Sequence, residues 1–223
     1  MPGRKITRTL WTIVTILAVI GCAAALRRIG VLWPTVTRGY VPTSTKIPQV
    51  FDVGFAHYPW LTLSHVIPGL LFMILGPLQF ISTLRARYPQ WHRWSGRVFV
   101  ACSLIIGVSA LALSARLSIG GLLERSATTL FALYFLFALS RAFWLILHRN
   151  VALHREWMIR AFAIGLAVAT IRPINGMFFG LYFARGFLSP QQFFGIAFWT
   201  GFLLHAIAAE VWIRTTRPQL AHA

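Results

Sequence analysis

Acidic residues are nearly missing: the 223-residue chain has 4 Asp and Glu against 21 Lys and Arg, a formal charge of +17. So few carboxylates exclude a divalent-metal centre built on Asp and Glu, and they leave little for paired-carboxylate or proton-relay catalysis. Cysteine is scarce as well. Cys22 and Cys102 both lie inside apolar runs and make neither a disulfide framework nor a CxxC metal motif. Charged residues of both signs amount to 11%, against about a quarter in a soluble domain, whereas 57% of the chain is hydrophobic and mean hydropathy is +0.70. One small soluble core cannot bury that much apolar surface, so the bilayer is the solvent. The basic residues sit between apolar runs, which points to anionic lipid headgroups as partners and not to nucleic acid. There is no P-loop, HExxH or GxSxG, and no motif commits the chain to catalysis.

What is present reads as an all-α, polytopic transmembrane helical bundle. Six apolar segments approach the ~20 residues that cross a bilayer as helix: Thr9–Leu26, Leu61–Leu84, Val98–Leu117, Ala127–Leu147, Trp157–Leu181 and Gln192–Ile213. Residues 33–60 hold Pro34, Pro42, Pro48 and Pro59 and read as a loop. The chain divides into an N-terminal signal-anchor helix with an outer loop (1–60), a five-helix membrane domain (61–214) and a short tail (215–223). Val19-Ile20-Gly21-Cys22 and Ala23-Ala24-Ala25 resemble cleavage sites, but the apolar run continues to Leu26 and favours an uncleaved anchor. With the N-terminus inside, the inner segments carry twelve Lys and Arg, and the outer ones carry seven, Lys46 among them. This asymmetry predicts a multi-pass protein of the cell inner (plasma) membrane with both termini cytoplasmic. Eight of the nine Trp fall near predicted helix ends, as an aromatic belt requires.

Small residues form stripes on the third span (Ser103, Gly107, Ala110, Ser114) and on the fifth (Ala161, Gly165, Ala169). Such stripes let backbones approach and predict that both spans are interior, close enough to share a ligand between them. Pro68 and Pro77 predict kinks in the second span. A short repeat leads into the third and fifth spans: His92-Arg93-Trp94-Ser95-Gly96-Arg97 and His154-Arg155-Glu156-Trp157-Met158-Ile159-Arg160. It predicts that spans two to five form a core of two similarly oriented hairpins.

These two His-Arg corners are the main functional signal. Neutral imidazoles of His92 and His154 are suited to axial ligation of haem iron, and Arg93, Arg97, Arg155 and Arg160 to its propionates. The same arginines at helix N-termini suit a lipid phosphate equally. Ionisable groups within the spans mark further candidates: His65, Arg172 and Glu210, with Arg141 and His205 beside them. Arg172 is expected to have a protein partner, with His65 nearby. Glu210 is expected to pair either with Arg214 one turn on or with Arg155 or Arg160 of the fifth span.

The chain resembles a family of bacterial predicted membrane proteins, domain of unknown function 2306. The resemblance rests on His65, Gly76-Pro77-Leu78-Gln79-Phe80, Leu84-Arg85-Ala86-Arg87, the two His-Arg corners, Arg172, Trp199 and Ala209-Glu210. It covers roughly residues 61–214, and His205 stands where the family has Asn. It implies an architecture and a residue set, and no reaction. In layout the chain is more distantly similar to ascorbate-reducible b-type cytochromes, which hold two haems with His pairs on the second and fourth and on the third and fifth of six helices. His92 and His154 match the second pair. His148 lies at the wrong end to partner His65, so the analogy implies one haem at most.

Two functional readings follow. One is a small membrane redox protein holding a single haem b on the cytoplasmic side between His92 and His154, with no other metal site. The other is a non-enzymatic lipid- or anion-binding membrane protein, or a transporter with Arg172 in its pathway.

Overall fold

A computed structural model describes residues 4–43 and 49–217. Lys46, Pro48 and the tail beyond Arg217 therefore lie outside the described residues. Eight helices follow one another: α1 (Arg4–Arg38), α2 (Gln49–Ala56), α3 (Pro59–Gln79), α4 (Ser82–Arg87), α5 (Pro89–Arg116), α6 (Gly121–Leu147), α7 (Val151–Arg185) and α8 (Pro190–Thr216). No strand occurs among the described residues. Six of the helices, α1, α3, α5, α6, α7 and α8, are long and apolar enough to cross a membrane. Six such helices in succession bring Arg4 and Arg217, the first and last described residues, to one end of the bundle, the one bearing His92 and His154, here called the corner end.

Apart from α3, the spanning helices run further than the apolar segments because caps, not hydropathy, end them. Pro59, Pro89 and Pro190 each occupy a first helical position, where the missing N–H costs nothing. Ser189 and Gln192 close a capping box before α8. Asn150 accepts a hydrogen bond from the Leu153 amide and starts α7, and Gly186 ends it at φ 64°, a conformation a side chain would resist. Residues 33–60, expected as a loop, are in part helical. α1 continues through Pro34 to Arg38, and α2 forms where Phe51 can bury its ring against Phe179 and Phe194. Eight residues of α2 remain too short to span. α3 continues through both Pro68 and Pro77 and stops at Phe80, so the second span is shorter than its apolar run.

The main packing pairs are α7 with α8, α3 with α5, α6 with α7, α1 with α3, α5 with α6 and α6 with α8, with α1 also against α7. Phe72 of α3 fills the centre. Its ring lies 4.9 Å from Phe99 of α5, 5.6 Å from Phe162 of α7 and 6.1 Å from Phe135 of α6. The small-residue stripes are interior, as expected: Ser103, Ser114, Ala161 and Ala169 are buried. They do not bring α5 and α7 together, however. The absent side chain of Gly107 makes room for Leu136 of α6, and that of Gly165 for the Phe72 ring. The close approaches they permit are therefore to α6 and α3, and aromatic rings separate α5 from α7.

Candidate functional site

His92 and His154 are each the fourth residue of their helix, so the two corners of the repeat enter the bundle alike. Both also place an Arg over a Trp three residues earlier: Arg97 over Trp94 at 4.7 Å and Arg160 over Trp157 at 4.6 Å. Beyond that the corners differ. His154 Nδ1 lies 2.8 Å from the Ala142 carbonyl, which can only accept, so Nδ1 carries the proton and Nε2 is free. His92 Nδ1 is buried and has no hydrogen-bond partner. The two rings are within electrostatic reach of each other, and Arg85 and Arg93 surround His92. Arg85 also acts on Arg155, whose guanidinium donates only a long 3.4 Å bond to Thr216 Oγ1. The corner end thus gathers Arg85, His92, Arg93, His154 and Arg155. Arg85 contributes from α4, and the sequence had marked it only as part of a family motif.

Arg160 does not belong to this group. It donates to both carboxylate oxygens of Glu210 on α8, at 2.6 and 3.0 Å. Glu156, only 4% exposed, accepts from Arg217 at 2.9 and 2.6 Å and lies 3.9 Å from Arg160. The chain Arg217–Glu156–Arg160–Glu210 is charge-balanced and ties α7 to α8. Glu210 therefore takes the interhelical partner in preference to Arg214. Arg97 lies over Trp94, and Arg85, Arg93 and Arg155 make no carboxylate hydrogen bond among the described residues.

Inward of the two histidines the bundle closes. Gln79 donates to Ser95 Oγ at 2.9 Å, and both are buried with Leu145 and Met158. The His92–His154 pair therefore stands at the mouth of the bundle. As donors the two imidazoles suit a haem, and the arginines suit its propionates. A porphyrin also requires a slot between α5 and α7, and the closed layer beneath the histidines leaves it only this shallow position.

The far end carries a second set of charges. Asp52, on α2, accepts from Arg27 at 3.2 and 2.7 Å and from Arg28 at 2.6 Å. Arg28 also stacks 4.1 Å from the Phe55 ring centroid. Burial alone would raise the Asp52 pKa, but the hydrogen bonds and charges of Arg27 and Arg28 outweigh it and hold the carboxyl below its ordinary range. Asp52 lies in the supposed loop, and no sequence pattern marked it. Arg172 lies within electrostatic reach of Arg27, Arg28 and His65. Contrary to expectation, it has no hydrogen bond or ion pair among the described residues. Twenty-one residues beyond Val151, it is roughly 32 Å along α7, about the thickness of the hydrocarbon core. Its side chain lies exposed at the surface of the bundle. His65 bonds instead to Ser109 of α5 at 3.0 Å, and His205 to Thr170 of α7 at 2.8 Å.

Among the described residues no three or more His, Cys, Asp or Glu gather as metal ligands. Comparison with known families decides the relationship: the family model described as "Predicted membrane protein (DUF2306)" matches residues 62–213. The chain belongs to the DUF2306 family. That match contains α3 to α8 apart from a few terminal residues, both His-Arg corners, Arg172 and Glu210, and it leaves out α1 and α2 with Arg28 and Asp52. No curated protein and no solved structure matches the chain. The similarity in layout to b-type cytochromes accordingly gains no support.

Proposed function

We propose that this DUF2306 protein binds the phosphate of an anionic lipid headgroup at the corner end, as a non-enzymatic membrane protein of the inner membrane with that end towards the cytoplasm. One observation carries the reading. Arg85, Arg93 and Arg155 converge with His92 and His154, and the nearby carboxylates, Glu156 and Glu210, are held by Arg217 and Arg160. An uncompensated cluster of cations at the bundle mouth calls for an anion, and a headgroup phosphate is the anion present at that depth. The buried, unpartnered His92 Nδ1 supplies a position for a further hydrogen bond.

The experiment is native mass spectrometry of protein released from mixed bilayers. Phosphatidylglycerol should be retained over phosphatidylcholine, and Arg85→Gln/Arg93→Gln/Arg155→Gln should lose it, whereas Arg125→Gln at the other end should not. Equal retention by the triple variant ends the reading.

A single haem b held by His92 and His154 is the second reading, favoured by the free Nε2 of His154 and by the two rings lying within electrostatic reach of each other. It stands second because the closed layer of Gln79, Ser95, Leu145 and Met158 confines a porphyrin to the mouth. A Soret band in protein from haem-replete cells, lost in His92→Ala and in His154→Ala, would reverse the order.

A further inference from the structure

The ion-paired groups at the two ends of the bundle differ in charge balance. At the corner end, Arg160 and Arg217 meet Glu156 and Glu210. At the far end, Arg27 and Arg28 share one carboxylate, Asp52, and Arg172 stands within their electrostatic reach with no carboxylate partner among the described residues. Of these three cations Asp52 balances one, and two are left over. Arg172 is exposed at the surface of the bundle, within electrostatic reach of Arg27 and Arg28 of α1 and of His65 of α3.

The surrounding polar groups point the same way. Asn175 is three residues after Arg172 and on the same face of α7, and Thr35 is two turns beyond Arg28 on the same face of α1. Asn175 Oδ1 and Thr35 Oγ1 are both buried without a hydrogen-bond partner. Buried polar atoms are rarely left unsatisfied, so each marks a place for water or for a polar group from a ligand. α1 and α7 pack on each other and both run outward from the corner end, which brings both polar stripes to the far end of the same helix pair.

We propose that the far ends of α1 and α7 form a binding site for a small carboxylate, received by Arg172 and Arg28 in competition with Asp52. The ligand class follows from the group already there. Arg27 holds Asp52 through two parallel bonds, the planar fork that suits a carboxylate, and Arg28 spends one nitrogen on it. Asp52 acts as an internal occupant, and the incoming carboxylate bridges the free Arg172 and the partly engaged Arg28. This site is independent of the corner end, 21 residues away along α7, and does not rest on the lipid reading.

The test is calorimetric titration of the full chain in phosphatidylcholine nanodiscs with acetate, decanoate and inorganic phosphate. A carboxylate should bind in preference to phosphate. Binding of both acetate and decanoate assigns an aqueous carboxylate; binding of decanoate only assigns one that enters from the bilayer. Asp52→Asn should tighten binding about tenfold or more, since it removes a charged competitor. A gain of affinity cannot come from misfolding. Arg172→Gln should weaken binding by about as much, Arg172→Lys should restore part of it, and Arg185→Gln should have no effect. Binding unchanged in Arg172→Gln, weakened binding in Asp52→Asn, or a phosphate response equal to that of the carboxylates overturns the proposal.

Discussion

Arg160 and Glu210 face each other across α7 and α8 through two hydrogen bonds, 2.6 and 3.0 Å long. The guanidinium is 13% exposed and the carboxylate 39%, so the pair is desolvated on one side only. Two identical charges of opposite sign fifty residues apart are joined here while Arg214, four residues from Glu210, is left to solvent.

Removing one partner should cost more than removing both. Glu210→Ala leaves Arg160 with Glu156 as its nearest carboxylate, at 3.9 Å, and should lower stability by about 1–2 kcal/mol, given the partial exposure. A double-mutant cycle of Glu210→Ala with Arg160→Ala, followed by thermal unfolding in detergent, should return a coupling of the same order. Additive losses would mean that the ion pair contributes nothing.

The Asp52 link should depend on pH. Its folded pKa lies below the ordinary aspartate value, so the stability it adds is present above about pH 4 and is lost as pH falls through the folded pKa. The protection of the α2 amides (Gln49–Ala56), relative to their intrinsic exchange at each pH, should therefore fall on acidification. Asp52→Asn should exchange quickly at neutral pH and lose the dependence. An α2 whose protection is the same at pH 3 and pH 7 would contradict the tether.

Gly165 receives the Phe72 ring, and any Cβ there would strike it, whereas Gly176 of the same helix has open space around its missing side chain. Gly165→Ala should destabilise the bundle by about 1–3 kcal/mol through overpacking. Gly176→Ala should be neutral or stabilising, because alanine is the better helix former. Thermal unfolding of the two variants checks this, and equal effects would place the Phe72 cluster elsewhere.

Topology is tested by thiol labelling in intact cells. Cysteines at Gln90 and Asn150, at the exposed corner end, should resist a membrane-impermeant reagent, and one at the exposed Thr43 should react. Labelling of Gln90 would invert the orientation that the Lys and Arg asymmetry predicts.

The sequence by itself determined that this is an all-helical membrane protein with six spans, and it picked out the interior faces of α5 and α7. Those features are local. Hydropathy over some twenty residues, and small residues every third or fourth position, follow from the neighbours in the chain. Tertiary structure alone decided the partners. Glu210 could have paired within its own helix, and only the packing of α8 on α7 turns it to Arg160. The stripes were expected to bring α5 and α7 together, and the bulk of Phe72 and Leu136 directed them to α3 and α6 instead. Asp52 was invisible because its partners lie 24 and 25 residues away on another helix, across a stretch whose prolines read as loop. Arg172 was expected to need a protein partner because hydropathy continues past it, and the packing of whole helices leaves it exposed instead, within electrostatic reach of Arg28. A charge's depth and its partner depend on where whole helices end and which faces meet, and neither is encoded in any short window of sequence.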